Sequence, residues 1–185
     1  GGDFCALANA RSIPLAEQIT ERFADLDEQY DIGDIDLHIS GCINSCGHHH
    51  SGHIGVLGVD KDGKEWYQVS LGGLDGSAIS GHASTPGKVI GPSFAAEEVA
   101  DVIEAVLDTY RTQRTAASER FIDTVNRIGL DPFKAAANAQ RRAPTWCPPR
   151  WASTSGATTT TSRTTFASRC HGPRPRWHWP AFGWK

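Results

Sequence analysis

The stretch "SGCINSCGHHHSGH", Ser40 to His53, holds two cysteines four positions apart, Cys42 and Cys46, followed by His48, His49, His50 and His53. Thiolates are soft ligands suited to zinc or to iron–sulfur clusters. Cys42, Cys46, His50 and His53 have a spacing permissive for a Cys2His2 zinc site. A cubane cluster instead asks for four cysteines. A third candidate is Cys5 in "GGDFCALANARS", which follows glycines and precedes a helical pattern. A helix N-terminus there would favour the thiolate. Taken alone, Cys5 is also consistent with a small buried hydrophobe, and each histidine with an ordinary hydrogen-bonding residue. Zinc and iron–sulfur both stay open on spacing.

The elements around these residues are legible from periodicity. Ile19, Phe23, Leu26 and Tyr30 share one helical face, so a single helix is expected, capped by Ser12, with Pro14 in its first turn and Gly33 at its end. Ile35, Leu37 and Ile39 alternate with polar residues and read as a half-buried strand that runs into the cysteine stretch. Ile54 to Val59 and Tyr67 to Leu71 read as a hairpin about the turn "DKDG". Gly72 to Gly87 reads as a loop. Val99, Ile103, Val106 and Tyr110 mark a second helix, and Phe121, Val125 and Ile128 a third that stops at Gly129. Asp131 and Pro132 should open a short last one as N-cap and N1. The fold class expected is α+β.

The 185 residues carry a net charge of −3, which argues against nucleic acid or an anionic membrane surface as the main partner. No apolar run reaches membrane-span length and no secretory signal is visible. The five cysteines, Cys5, Cys42, Cys46, Cys147 and Cys170, do not form a disulfide framework, and a reducing cytoplasm is the expected location. Met is absent, so the chain is expected to be cut from something longer.

Composition changes abruptly at Arg142. Residues 143–185 contain no Asp or Glu, and hold five of the six Trp and six of the ten Pro. Residues 1–142 are expected to be the folded domain, and 143–185 a basic, disordered tail, with a shifted reading frame as its simplest origin. A nucleic-acid-binding tail of interleaved Arg and Trp is the alternative.

Five pieces in order, "DFCALA", "SGCINSCGHHHSGHIGVLGVDKDG", "YQVSLGG", "GKVIGPSF" and "ERFIDTVNRIGLDPFK", resemble the C-terminal 4Fe–4S/siroheme domain of siroheme-containing sulfite and nitrite reductases, over Gly1 to about Ala139. That resemblance implies the family's mixed sheet with flanking helices. Its cluster ligands follow Cys-x5-Cys and then Cys-x3-Cys, which implies Cys5, Cys42 and Cys46 as the second, third and fourth ligands, the first falling two residues before Gly1. It further implies that Cys46 is shared between the 4Fe–4S cluster and the siroheme iron, and that Asn44 lies near the siroheme. Ile43 departs from the Pro common in the family. The resemblance implies six-electron reduction of sulfite to sulfide, or of nitrite to ammonia. The implied partners are an upstream half of the same reductase, which carries the substrate-binding Arg and Lys, and an electron donor, ferredoxin or an NADPH flavoprotein. It places His48 to His50 on the cluster side.

Overall fold

The computed structural model describes residues 3–77 and 83–142, which fall within one compact unit, Gly1–Arg142. Two helices come first, α1 (Ser12–Arg22) and α2 (Leu26–Ile32). Strand β1 (Leu37–Ser40) follows, then the hairpin β2 (Ile54–Lys61) and β3 (Lys64–Leu71), and two short strands, β4 (Lys88–Val89) and β5 (Phe94–Ala95). A 3-10 turn leads into α3 (Val99–Gln113), and α4 (Phe121–Ile128) and α5 (Asp131–Ala139) close the described chain. The architecture is α+β with a mixed sheet, as expected.

The sheet runs β1-β2-β3-β4, with β5 also paired to β3. β1 and β2 are parallel, with Leu37 opposite Ile54, and the other pairs are antiparallel. The hairpin turns on Asp62 and Gly63, both at positive φ (56° and 73°), the geometry that a two-residue Asp-Gly turn supplies. Parallel neighbours need a connection of about a dozen residues or more, usually helical. Here the connection is the cysteine–histidine stretch.

Alternate residues of the central strands, Ile54, Val56, Tyr67, Val69 and Leu71, are buried together with Val99, Val102, Ile103, Val106, Leu107 and Tyr110 of α3. Full burial of each such side chain is worth about 1.5–3 kcal/mol. Tyr110, Phe121 and Phe133 then pack edge to face at 5.5 and 6.0 Å and bind α4 and α5 to α3. Buried Glu98 joins the two ends of the helical layer. One carboxylate oxygen accepts the Ala95 N–H at 3.0 Å and the other the Arg142 N–H at 2.8 Å.

Several expectations need correction. The single helix from Ser12 to Gly33 is two, broken at Phe23–Asp25, because Asp25 accepts the Asp27 and Glu28 N–H groups and starts a new helix. Leu26 (76% exposed) and Tyr30 (91%) therefore leave the face they appear to share with Ile19 and Phe23. Arg11, not Ser12, is the N-cap of α1. Leu130, not Asp131, precedes α5. The loop from Gly72 to Gly87 contains a bridge between Leu74 and Thr85, and the short strands β4 and β5 were not foreseen. Cys147, Cys170 and the remainder of 143–185 lie outside the described residues.

Candidate cluster-ligand loop

The sequence from Cys42 to Ser51 is a chain of turns. The Ser45 N–H donates to Cys42 O at 3.1 Å, His48 N–H to Ser45 O at 2.8 Å, and Ser51 N–H to His48 O at 3.0 Å. Ser45 (φ 57°) and His48 (φ 52°) both take the left-handed conformation, which costs an L-residue about 1–2 kcal/mol. The chain can hold these conformations because its backbone is pressed onto the sheet from several sides. A Cβ on Gly47 would stand 2.0 Å from Ile39 O, and one on Gly55 2.0 Å from His49 O. A Cβ on Gly73 would lie 2.4 Å from both Gly52 O and His50 O. The exposed carbonyls are collected as well: Gly87 N–H donates to His50 O at 2.8 Å and Gly72 N–H to His53 O at 3.0 Å, while His38 Nδ1 lies 3.0 Å from His48 O.

The segment that follows Cys5 is tied to the same end of the sheet through backbone. Asn9 and Ala10 N–H groups both donate to Gly41 O, at 2.9 and 3.0 Å, immediately before Cys42. Cys42 is 7% exposed, and Cys5 and Cys46 are exposed. Asn44 is exposed, with Ile43 (82%), Phe4 (89%) and Leu7 (73%) among the exposed large apolar side chains. One expectation fails: α1 begins at Ser12, and Asp3 accepts the Ile13 N–H at 3.3 Å. Cys5 therefore does not sit at a helix N-terminus, and the dipole argument for its thiolate does not apply.

The histidines divide by role. His53 Nδ1 accepts the Asp36 N–H at 3.1 Å, which requires that nitrogen to be unprotonated. Burial also pushes its pKa down, partly opposed by the Asp36 carboxylate. His50 Nε2 lies 2.9 Å from Ser45 Oγ. His49 is 4% exposed, its ring centroid 3.9 Å from that of His50. Burial, and then His50, lower its pKa to about 4. Its Nδ1 is buried without a hydrogen-bond partner.

Among the described residues no group of three or more His, Cys, Asp or Glu is arranged to hold a metal ion. The zinc tetrad Cys42, Cys46, His50 and His53 is thus not assembled, and His50 and His53 already hold other partners. Zinc needs its ligands converging on one point. A cubane takes one thiolate per iron at separate corners; Cys5, Cys42 and Cys46 offer the right donor chemistry for three of the four irons, but they too are not drawn together as a metal site among the described residues. The orphaned Nδ1 of His49 and the exposed apolar side chains beside the thiols are consistent with a further body covering this end of the sheet. Neither the burial of His49 nor the hub role of Ser45 was foreseen. The only sequence signal was the density of small residues between the cysteines and histidines.

Residues 5–144 match the sequence model described as "Nitrite and sulphite reductase 4Fe-4S domain". The sulfite reductase [NADPH] hemoprotein beta-component of Bacillus velezensis is 29% identical over 129 residues, covering 68% of this chain and 21% of that protein. Sulfite reductase [ferredoxin] 1 of Mycolicibacterium paratuberculosis is 31% identical over 119 residues, 60% of this chain and 20% of its own length. The chain thus spans about a fifth of the curated relatives it matches. The structure of Mycobacterium tuberculosis NirA protein superposes with a TM-score of 0.55 at 27% identity, over 72% of this chain and 25% of that one. Dissimilatory sulfite reductase I superposes at 0.62 over 86% of this chain and 57% of that one, but at 13% identity it supports the fold alone.

Proposed function

Because this chain belongs to the nitrite and sulphite reductase 4Fe–4S domain family, we propose that it is the cluster-binding portion of an assimilatory siroheme reductase that converts sulfite to sulfide. The family's cofactors are a 4Fe–4S cluster and siroheme. When bound, they would relay one at a time the six electrons that an external donor provides, a cluster–haem pair being suited to stepwise transfer. Cys5, Cys42 and Cys46 are the proposed cluster ligands, with Cys46 shared with the haem iron and Asn44 beside the haem. The observation that carries this reading is the double hydrogen bond from Asn9 and Ala10 to Gly41 O, which fixes the Cys5 segment against the residue preceding Cys42. Both candidate ligand-bearing segments are thus tied to one another by backbone bonds, which supports their acting together.

Sulfite is favoured over nitrite because the similar proteins are sulfite reductases that use NADPH or ferredoxin. The proposed partners follow: an upstream half of the same polypeptide, which supplies the first cluster ligand and the substrate-binding cations, and a ferredoxin or NADPH flavoprotein as donor. No helix among the described residues is long and apolar enough to cross a membrane, and a cytoplasmic location is proposed. The test is the full-length protein purified without oxygen. Haem absorbance, four irons per haem beyond the haem iron, and faster turnover with sulfite than with nitrite support the reading. Zinc without iron overturns it.

A further inference from the structure

We propose that His50 is a positioning residue for the cysteine turn, acting through Ser45 to set the direction of the Cys46 thiol. The functional meaning of this inference rests on the reductase reading, while its geometry rests on bonds within this chain. Ser45 uses every polar group it has inside the loop. Its N–H donates to Cys42 O, its carbonyl accepts His48 N–H, and its hydroxyl lies 3.1 Å from Ile43 O. The hydroxyl also lies 2.9 Å from His50 Nε2, the shorter of its two contacts: with its one proton on Ile43 O the imidazole donates, and with that proton on Nε2 the imidazole accepts, so either tautomer ties the serine to His50.

His50 is itself anchored. Its backbone carbonyl accepts the Gly87 N–H at 2.8 Å, and its ring lies against that of buried His49, centroid to centroid 3.9 Å. His50 thus carries the rigidity of the sheet to a serine that sits at φ 57°, a conformation that L-residues leave when not held. Ser45 precedes Cys46 directly, so the torsions it fixes decide where that thiol points. A ligand shared between two metal centres tolerates little error in that direction. Neither Ser45 nor His50 needs to touch metal to do this.

Two measurements test it. In the reduced, cofactor-free chain, peptide-resolved mass spectrometry gives the alkylation rate of Cys46 relative to Cys5, which lies on a different segment. His50→Leu and Ser45→Ala should each change that ratio in the same direction by about fivefold, the effect of one net hydrogen bond. The double variant should match either single one, and His50→Gln, which keeps a donor and an acceptor, should restore the wild-type ratio. Unchanged ratios, additive effects, or no rescue by Gln overturn the proposal. In the full-length protein His50→Leu should shift the cluster's reduction potential and its electron paramagnetic resonance spectrum at undiminished iron content, and an unshifted potential overturns the proposal. A full-length protein that takes up no iron defeats the reductase reading instead, and the alkylation ratios still decide the role of His50.

Discussion

His49 and Cys46 stand three residues apart and make opposite demands on a measurement. His49 is buried and neutral, its pKa lowered from 6.5 to about 4. The unfolded chain binds a proton near pH 6.5 where the folded chain refuses it, so stability is present above that pH and is lost as the pH falls toward 4. In the reduced, cofactor-free chain the loss between pH 7.5 and 5 should be about 2 kcal/mol. His49→Leu should remove most of that slope, because it deletes the titration and an orphaned buried nitrogen together. Urea unfolding at the two pH values decides this, and an unchanged slope refutes it. His53, whose pKa is lowered by the same cause, adds to the slope in the same direction. Glu119, held down to about 2 by Arg127 and the Thr115 N–H, titrates in a lower window and does not confuse the result. Cys46→Ser behaves differently. It should leave the cofactor-free chain's unfolding free energy within about 0.5 kcal/mol, since Cys46 is exposed. In the full-length protein it should abolish haem ligation and cluster assembly together. Retention of both would show that another residue is the shared ligand.

At the scale of elements, the loop depends on glycines more than on its ligands. Gly55→Ala should cost about 1–3 kcal/mol or more of strain, because the new Cβ would meet His49 O and Ser70 Oγ at 2.0 and 2.6 Å. Gly63→Ala has open space and costs only the strain of its positive φ. Thermal unfolding of the two variants should rank them in that order, and equal melting temperatures would count against the loop's close seating. The same contrast explains what the sequence disclosed. The hairpin and α3 were readable because alternation, a turn signal and a repeat of three and four each pointed to one answer. The first helix was misread because Leu26 and Tyr30 keep a helical spacing from Ile19 and Phe23. A local cap at Asp25 overrides that spacing, and capping competes within a few residues whereas periodicity averages over many. Cys5, Cys42 and Cys46 stand out in the sequence as candidate ligands, but the tie between their two segments does not. That depends on Asn9, Ala10 and Gly41 acting through backbone groups, which leave no mark in side-chain identity. β4 and β5 escaped because strands of two residues are too short to show a period.

For the molecule as a whole, Glu98 marks where the fold should end. It is 6% exposed, and the Arg142 N–H satisfies one of its oxygens. Arg141 adds a guanidinium 4.1 Å above the Phe94 ring and a bond to Ser93 O at 3.0 Å. A chain ending at Arg142 is predicted to unfold at the temperature of the full chain. One ending at Gln140 should be less stable by about 1–3 kcal/mol, the cost of a buried acceptor left unmet plus a lost cation–π contact. Calorimetry on the three lengths checks both statements, and a large loss on removing 143–185 would show that the acid-free segment belongs to the fold.

The chain of turns from Cys42 to Ser51 is closed by peptide groups, glycines and the Ser45, His50 and Ser51 side chains, and none of its hydrogen bonds uses a thiol. That has a consequence for descent. On the proposed ligand assignment, a lineage could exchange the cysteines one at a time, losing the metal and its chemistry, and still inherit the same backbone path. The glycines permit no such drift. Descendants that have abandoned electron transfer should therefore be recognisable by a preserved glycine pattern around vacant ligand positions.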